Sequence, residues 1–273
     1  MSVLVQISDP HFGTEQMHVI EALVDLVQRI APDVVMVSGD ITQRARRAQF
    51  AAAKSFVDRL AAPRTLAIPG NHDIPLFNVI ARAFHPYDGY MHAFGADLEP
   101  LWSSPSMLVV CVNTTRPSRR KDGEVSAEQI ARVSEQLRMA TPAQLRIVVT
   151  HHPVHVIRES DIANLLHGHE EAVRAWADAG ADIVMGGHIH LAYVRSLAEY
   201  HPGVKRRMWA VQAGTAVSRR VRGSTPNSVN VVRYSGQAPV CEVERWDYDA
   251  SASQFHVESA DRLELDRNSG GRG

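Results

Sequence analysis

Residues 34–40, VVMVSGD, set four apolar side chains in one unbroken run and then stop on Gly39 and Asp40. An apolar run this short, entered from Pro32 and Asp33 and closed by glycine, has the composition of a strand covered on both faces. The form recurs on either side: residues 3–7 (VLVQI) lead into SDPH (8–11), and residues 65–68 (TLAI) lead into PGNHD (69–73). Between these runs, Met17, Ile20, Leu23, Val24, Val27 and Ile30, and then Phe50, Ala53, Val57 and Leu60, fall at helical spacing. Strand, helix, strand, helix, strand in this order implies parallel pairing and an α/β fold.

Further along, MLVVCVN (107–113), LRIVVT (145–150) and DIVMGG (182–187) read as more buried strands. A helix is expected from Ser126, with Glu128 and Gln129 in its first turn, and another over EEAVRAWADAGA (170–181). Residues 75–106 mix Pro, Gly, His and aromatic residues without a sustained period, which fits a helical excursion or a loop overlying a site. After His190 the pattern changes to AYVRSL, RMWAVQAGT, NSVNVVRYS, PVCEVERWDY and SQFHVES, separated by turn residues and read as antiparallel. No fixed-period repeat or linker divides the chain, so one mixed α/β domain is expected over residues 1–260, with a flexible tail over 261–273 that ends in DRNSGGRG.

The chain has 273 residues, 45% of them apolar and 22% charged, with 29 Lys and Arg against 30 Asp and Glu. This near-neutral balance gives no broad field toward nucleic acid or anionic lipid, so no stable nucleic-acid partner is expected. Cys111 and Cys241 lie far apart in apolar contexts and read as inert thiols rather than a disulfide or thiolate metal site. The beginning MSVLVQISDPH enters a strand without the look of a targeting segment, and no later run is long and apolar enough to span a bilayer. A cytoplasmic protein is the expectation, with a homodimer left open.

Chemistry gathers where the strands stop. SDPH supplies Asp9 and His11, SGD supplies Asp40, and GNHD supplies Asn71, His72 and Asp73. THHP adds His151 and His152, and GGHIH adds His188 and His190. Ligands collect at the carboxyl edge of parallel strands, so residues distant in sequence can converge there. Carboxylates and imidazoles crowded at a buried edge are costly to desolvate unless paired or bound to cations. Their nitrogen and oxygen donors, with no thiolate, suit Zn²⁺, Mn²⁺ or Fe. Asp9 and His11, two apart on an extended segment, are expected on one side of the chain, and His188 with His190 likewise. Gly39, Gly70, Gly186 and Gly187 allow sharp turns and close approach at these ends.

The blocks D-x-H, G-D, G-N-H-D, H and G-H-x-H, in order from residue 9 to residue 190, resemble the calcineurin-like metallophosphoesterase superfamily. The resemblance implies a four-layer α/β-β/α sandwich: two mixed sheets flanked by helices, with a dinuclear metal site at the carboxyl ends of the strands. It implies one metal on Asp9, His11, Asp40 and His190 and a second on Asp40, Asn71, His151 and His188, with Asp40 bridging and Mn²⁺, Fe²⁺/Fe³⁺ or Zn²⁺ as the ions. His72 is then the catalytic residue that assists the leaving group, and Asp73 orients it. In THHP, neighbours on a strand point oppositely, so one histidine should face the metals; the resemblance, whose ligand usually comes first, implies His151, with His152 supporting. The reaction implied is attack on a phosphodiester by metal-held hydroxide, without a protein nucleophile; neither a P-loop nor a Ser-centred elbow occurs.

Within the superfamily the chain looks most like class III cyclic-nucleotide phosphodiesterases and glycerophosphodiester hydrolases, which makes a small phosphodiester the expected substrate. The competing readings are a nucleotide-sugar or lipid-precursor pyrophosphatase, which an apolar membrane-facing lid would favour, a DNA exonuclease, disfavoured by the near-neutral charge, and a non-catalytic metal-binding scaffold. His155, four residues after His151, and Asn113, at the end of a strand, are the candidate substrate contacts. Three basic clusters, QRARRAQF (43–50), RPSRRKDGE (116–124) and SRRVRG (218–223), are local sources of attraction for an anion, with solvated faces as the ordinary alternative.

Overall fold

The computed structural model describes residues 1–267. The first three strands, β1 (Ser2–Ile7), β2 (Val34–Ser38) and β3 (Thr65–Ile68), pair in parallel and are joined by helices α1 (Met17–Ile30) and α2 (Arg47–Arg59). Along β1 and β2 the side chains alternate between two buried environments, since both faces are covered. Val3, Val5, Ile7, Val35 and Val37 pack with α1 and α2, whereas Leu4, Val34 and Met36 face the second sheet. That period of two follows from the pleat and explains why these strands carry no polar face.

Residues 75–106 form two short helices, α3 (Val79–Phe84) and α4 (Asp88–Phe94), and an edge strand, β4 (Leu101–Ser103), that the sequence did not signal. Tyr90 anchors α4, fully buried, with its hydroxyl donating to the Ala67 carbonyl at 2.6 Å. The second sheet follows: β5 (Met107–Cys111), β6 (Leu145–Val149) and β7 (Ile183–Gly186) are parallel, with α5 (Ala127–Met139) and α6 (His169–Asp178) on their outer face. Ser126 caps α5 in the expected box with Gln129.

Beyond α6 come β8 (Tyr193–Ser196), β9 (Trp209–Gln212), β10 (Ser228–Tyr234), β11 (Val240–Asp249) and β12 (Gln254–Glu264). The sheets run β12-β11-β10-β1-β2-β3 and β4-β5-β6-β7-β9-β8. The antiparallel reading holds for β8 and for β10 to β12, but β9 lies parallel to β7 and between it and β8. The apolar run of β9 is the mark of an inner strand buried by both layers, a cue hidden by the turn-rich sequence around it. Strands β10 to β12 return to the first sheet beside β1. The two sheets face each other across Leu4, Met36, Ile68, Val109, Ile147 and Met185, giving the four-layer α/β-β/α sandwich. Strand β12 continues past the expected boundary at 260, and Leu263 and Leu265 are buried in the core, so the core-forming chain reaches Leu265. Residues 268–273 of the expected tail lie outside the described residues. Among the described residues no helix is long and apolar enough to cross a membrane.

Candidate metal centre

Every block that ends a parallel strand arrives at one buried place. After β1, Asp9 and His11 are fully buried; after β2, Asp40 is 2% exposed; after β6, His151 and His152 are fully buried. The backbone does not converge by strand parity as expected. Asp9, His11, Asp40, His188 and His190 all take left-handed φ values, between 44° and 70°. Each such non-glycine residue costs roughly 1–2 kcal/mol, and strain of this kind persists where surrounding structure over-determines it. Tight turns, not an extended segment, bring these side chains together. Gly39, at φ 89°, lies against the His151 ring, where a Cβ would overlap it.

The donors fall into overlapping groups. Asp9, His11 and His190 bring ligand atoms within 4.8 Å of one another, as do Asp9, Asp40 and His151, and also His151, His152 and His188. Asp40 lies between them: one oxygen is 3.7 Å from His11 Nε2 and the other is 3.4 Å from His151 Nε2. Backbone carbonyls fix the ring orientations. His151 Nδ1 donates to the Ser38 carbonyl at 2.9 Å and His190 Nδ1 to that of Arg220 at 2.5 Å, which turns both Nε2 atoms inward. His11 Nε2 and His190 Nε2 then face each other at 3.1 Å. Ser8 Oγ and the His188 amide both donate to Asp9 Oδ2, leaving Oδ1 toward the imidazoles.

Four buried atoms in this place, Asp9 Oδ1, Asn71 Oδ1, His151 Nε2 and His188 Nδ1, have no hydrogen-bond partner. Buried polar atoms are nearly always satisfied, so orphans of this number in one pocket fit cations that the donors would share. The electrostatics agree. Burial would raise the Asp9 and Asp40 carboxyls, but the charges of His190 on Asp9 and of His151 on Asp40 hold both well below the carboxylate range. Burial pushes His11 and His188 down to about 3. Burial would lower His151 as well, yet Asp40 outweighs it and lifts that ring to about 9; Asp9 raises His190 in the same way. The site therefore holds two carboxylates facing nitrogen donors in a dry setting, an N/O ligand set for divalent metals.

A family profile described as calcineurin-like phosphoesterase matches residues 2–192, which hold all of these donors. The chain belongs to the calcineurin-like phosphoesterase family. A probable cyclic nucleotide phosphodiesterase of Synechococcus sp. is 26% identical over 175 residues, covering 63% of this chain and 62% of the relative's length. Among solved structures, purple acid phosphatase PPD1 of yellow lupin superposes with TM-score 0.72 at 11% identity, over 96% of this chain and 53% of that one. A dimetal phosphatase from Danio rerio gives 0.65 at 13% identity, over 97% and 99%. At such identities the likeness carries the fold.

The other residues expected in this calcineurin-like site divide. His72 lies beside the cluster: its amide donates to Asp40 Oδ1 at 2.8 Å and its Nδ1 to the Gln43 carbonyl at 2.9 Å. Asp73 does not orient the His72 ring, as had been expected. Its carboxylate accepts from the amides of Ile41, Thr42 and Gly70 and from Thr42 Oγ1, and so ties the turn after β2 to the turn after β3. Burial, with the nearby charge of Asp40, pushes that carboxyl up to about 6. His152 has both nitrogens occupied, by Thr114 Oγ1 at 2.7 Å and the Lys121 carbonyl at 2.9 Å. That leaves it a supporting role, with His151 facing Asp40.

Asn113 is not a contact in the cluster. Its Oδ1 accepts from the Thr115 amide and hydroxyl, which shapes that turn. The ring of His155 packs on Tyr200, Tyr193 and His201, none of them a clustered donor. The residue missed individually is Arg220. Its Nη1 lies 3.0 Å from His72 Nε2, 3.2 Å from Gln43 Oε1 and 3.4 Å from His11 Nδ1. The SRRVRG cluster was its only signal, and nothing in the spacing singled out which arginine turns inward.

Proposed function

We propose that the protein is a metal-dependent hydrolase of small phosphodiesters, of the cyclic-nucleotide or glycerophosphodiester type. The observation that carries this reading is the set of orphaned donors around Asp40, beside a His72 that is fixed in place but keeps Nε2 turned toward the site. Asp9, His11, Asp40 and His190 would hold one ion and Asp40, Asn71, His151 and His188 the other, with Asp40 shared. Two cations there supply Lewis acidity toward phosphate oxygens and make water a stronger nucleophile.

The chain's own groups do the rest. The water oxygen bonds to phosphorus, the bond from phosphorus to the leaving oxygen breaks, and that oxygen takes a proton, giving a monoester and an alcohol. His72, once Nε2 is released from Arg220 and protonated, would give the proton and recover it from solvent. Arg220, in contact with His72 Nε2, holds positive charge at the mouth where the phosphate arrives. The Synechococcus relative, itself named a probable cyclic nucleotide phosphodiesterase, supports the diester class.

The test is metal analysis together with turnover of bis-p-nitrophenyl phosphate and p-nitrophenyl phosphate in the presence of Mn²⁺. Preference for the diester is expected. A protein loaded with metal that turns over neither ester is a scaffold, and the reading fails. A second reading, hydrolysis of an amphiphilic pyrophosphate, draws on one observation: Phe77, Val79, Ile80 and Phe84, in and beside α3, are each more than 70% exposed. Faster turnover of a lipid-linked pyrophosphate than of the diester would favour it.

A further inference from the structure

A cleft of about 240 Å³ adjoins the clustered donors at Asn71 and His72, with Gln43, Arg44, Arg120 and Lys121 in its walls. These groups come from segments far apart in sequence, and among the described residues no carboxylate lines the cleft. Among the described residues Arg44, Arg120 and Lys121 form no ion pair, while their neighbours Arg116 and Arg119 are both paired with Glu124. Arg44 instead lies over the Phe77 ring at 5.5 Å, which props its guanidinium at the rim. Arg220 adds positive charge at the inner end, against His72. Two of the three basic clusters thus line one opening, and Arg220 of the third lies against its wall residues Gln43 and His72, in a chain whose formal net charge is −1.

Like charges held together at a concave surface raise the local potential and draw an anion. A cyclic nucleotide or a plain glycerophosphodiester carries one negative charge, which the donor cluster and its cations would neutralise. The cations of the cleft would then face nothing. We propose that the cleft is an anion subsite for a second charged group of the substrate, such as a terminal phosphate, separate from the ester phosphate. This rests on the phosphodiesterase reading and narrows it to diesters that carry such a group near the leaving side.

The experiment compares kcat/KM for a 3′–5′ dinucleotide with free hydroxyl ends and for the same dinucleotide phosphorylated at both ends, using Mn²⁺-loaded protein. A preference for the phosphorylated form of at least about tenfold is expected, the size of one or two charge-assisted contacts. It should shrink with added NaCl, because the cations are exposed. In the R44Q/R120Q/K121Q variant, with metal content checked, the ratio should fall toward one; reading the ratio within each protein removes any general loss of rate. No preference in a protein that hydrolyses bis-p-nitrophenyl phosphate overturns the subsite and leaves the diesterase reading standing. If no diester is hydrolysed, calorimetric titration of adenosine 3′,5′-bisphosphate against AMP decides, equal affinities overturning the proposal. An unchanged ratio in the variant, with loss of binding to anionic phospholipid vesicles, would make the patch a membrane contact and overturn it as well.

Discussion

Asp40 and His72 differ in what they touch, and their substitutions should separate accordingly. Asp40 faces imidazoles from both groups of donors, so Asp40→Ala should lower the bound metal as well as remove activity. His72 meets the cluster through its backbone amide and the edge of its ring against His11, outside the two proposed ligand sets, so His72→Ala should keep the metal and lose about 10²–10⁴ in kcat, the usual worth of a positioned proton donor. Elemental analysis beside steady-state kinetics reads both, and the reverse pattern would exchange the roles. Asp73 belongs to a different category: all its partners are donors. Asp73→Asn turns an amide NH₂ toward them and should cost about 1–3 kcal/mol of unfolding free energy, the penalty of a mispaired buried group. A urea melt with unchanged slope and a lower midpoint is the expected record. Equal midpoints would mean that the turns after β2 and β3 do not need this tie.

Elements were legible where burial writes a simple pattern. The runs that became β1, β2, β3, β5, β6 and β7 are short, apolar and closed by glycine or polar residues, and the helices between them repeat apolar groups on one face. The ligand blocks were legible because unusual residue types sit at the ends of those runs. Three things were not. The direction of β9 depends on which strand it meets, a long-range choice that local sequence does not encode. The left-handed turns at Asp9, His11, Asp40, His188 and His190 break the rule that such backbone falls to glycine, so residue type gave the wrong local geometry even where it gave the right place. The contacts of His155 depend on the connection after β8, where Tyr200 and His201 close over its ring. Burial, with the charges of His201, Arg195 and His169, lowers His155 to about 4. The unfolded chain binds that proton from about pH 6.5 downward, so the folded state loses stability as pH falls from there toward 4, and the contribution is intact above that window. His155→Gln carries no such proton. Its stability relative to the parent should therefore rise between pH 6.5 and 4, measured by denaturant melts at each pH; a constant gap would show that the ring is charged in the fold.

At the scale of the molecule the donors do not belong to one half. Asp9, Asp40 and Asn71 follow β1, β2 and β3 of the first sheet, and His151, His188 and His190 follow β6 and β7 of the second. Between the sheets the contact is largely apolar, with buried polar bridges such as Gln6 Nε2 to the Gly186 carbonyl and the Arg267–Asp182 pair, and the cluster gathers charged groups from both layers. Removing a cation shared by both would leave buried carboxylates and imidazoles from opposite sheets to balance one another's charge in a dry setting, a penalty paid in the folded state alone. Ligands that bind only the folded chain stabilise it by RT ln(1 + [L]/Kd), about 2.7 kcal/mol at a hundredfold excess over Kd. Added Mn²⁺ should accordingly raise the melting temperature of chelated protein with dose, and Asp40→Ala should blunt that rise. Hydrogen exchange localises the effect. Chelation should speed exchange in the turns after β1, β2, β3, β6 and β7, while the antiparallel β11 and β12 pair, held by its own ladder, should change little. Uniform change across both regions would mean that the ions stabilise the fold as a whole, and no change in those turns would mean that the two sheets hold the donors in place without them.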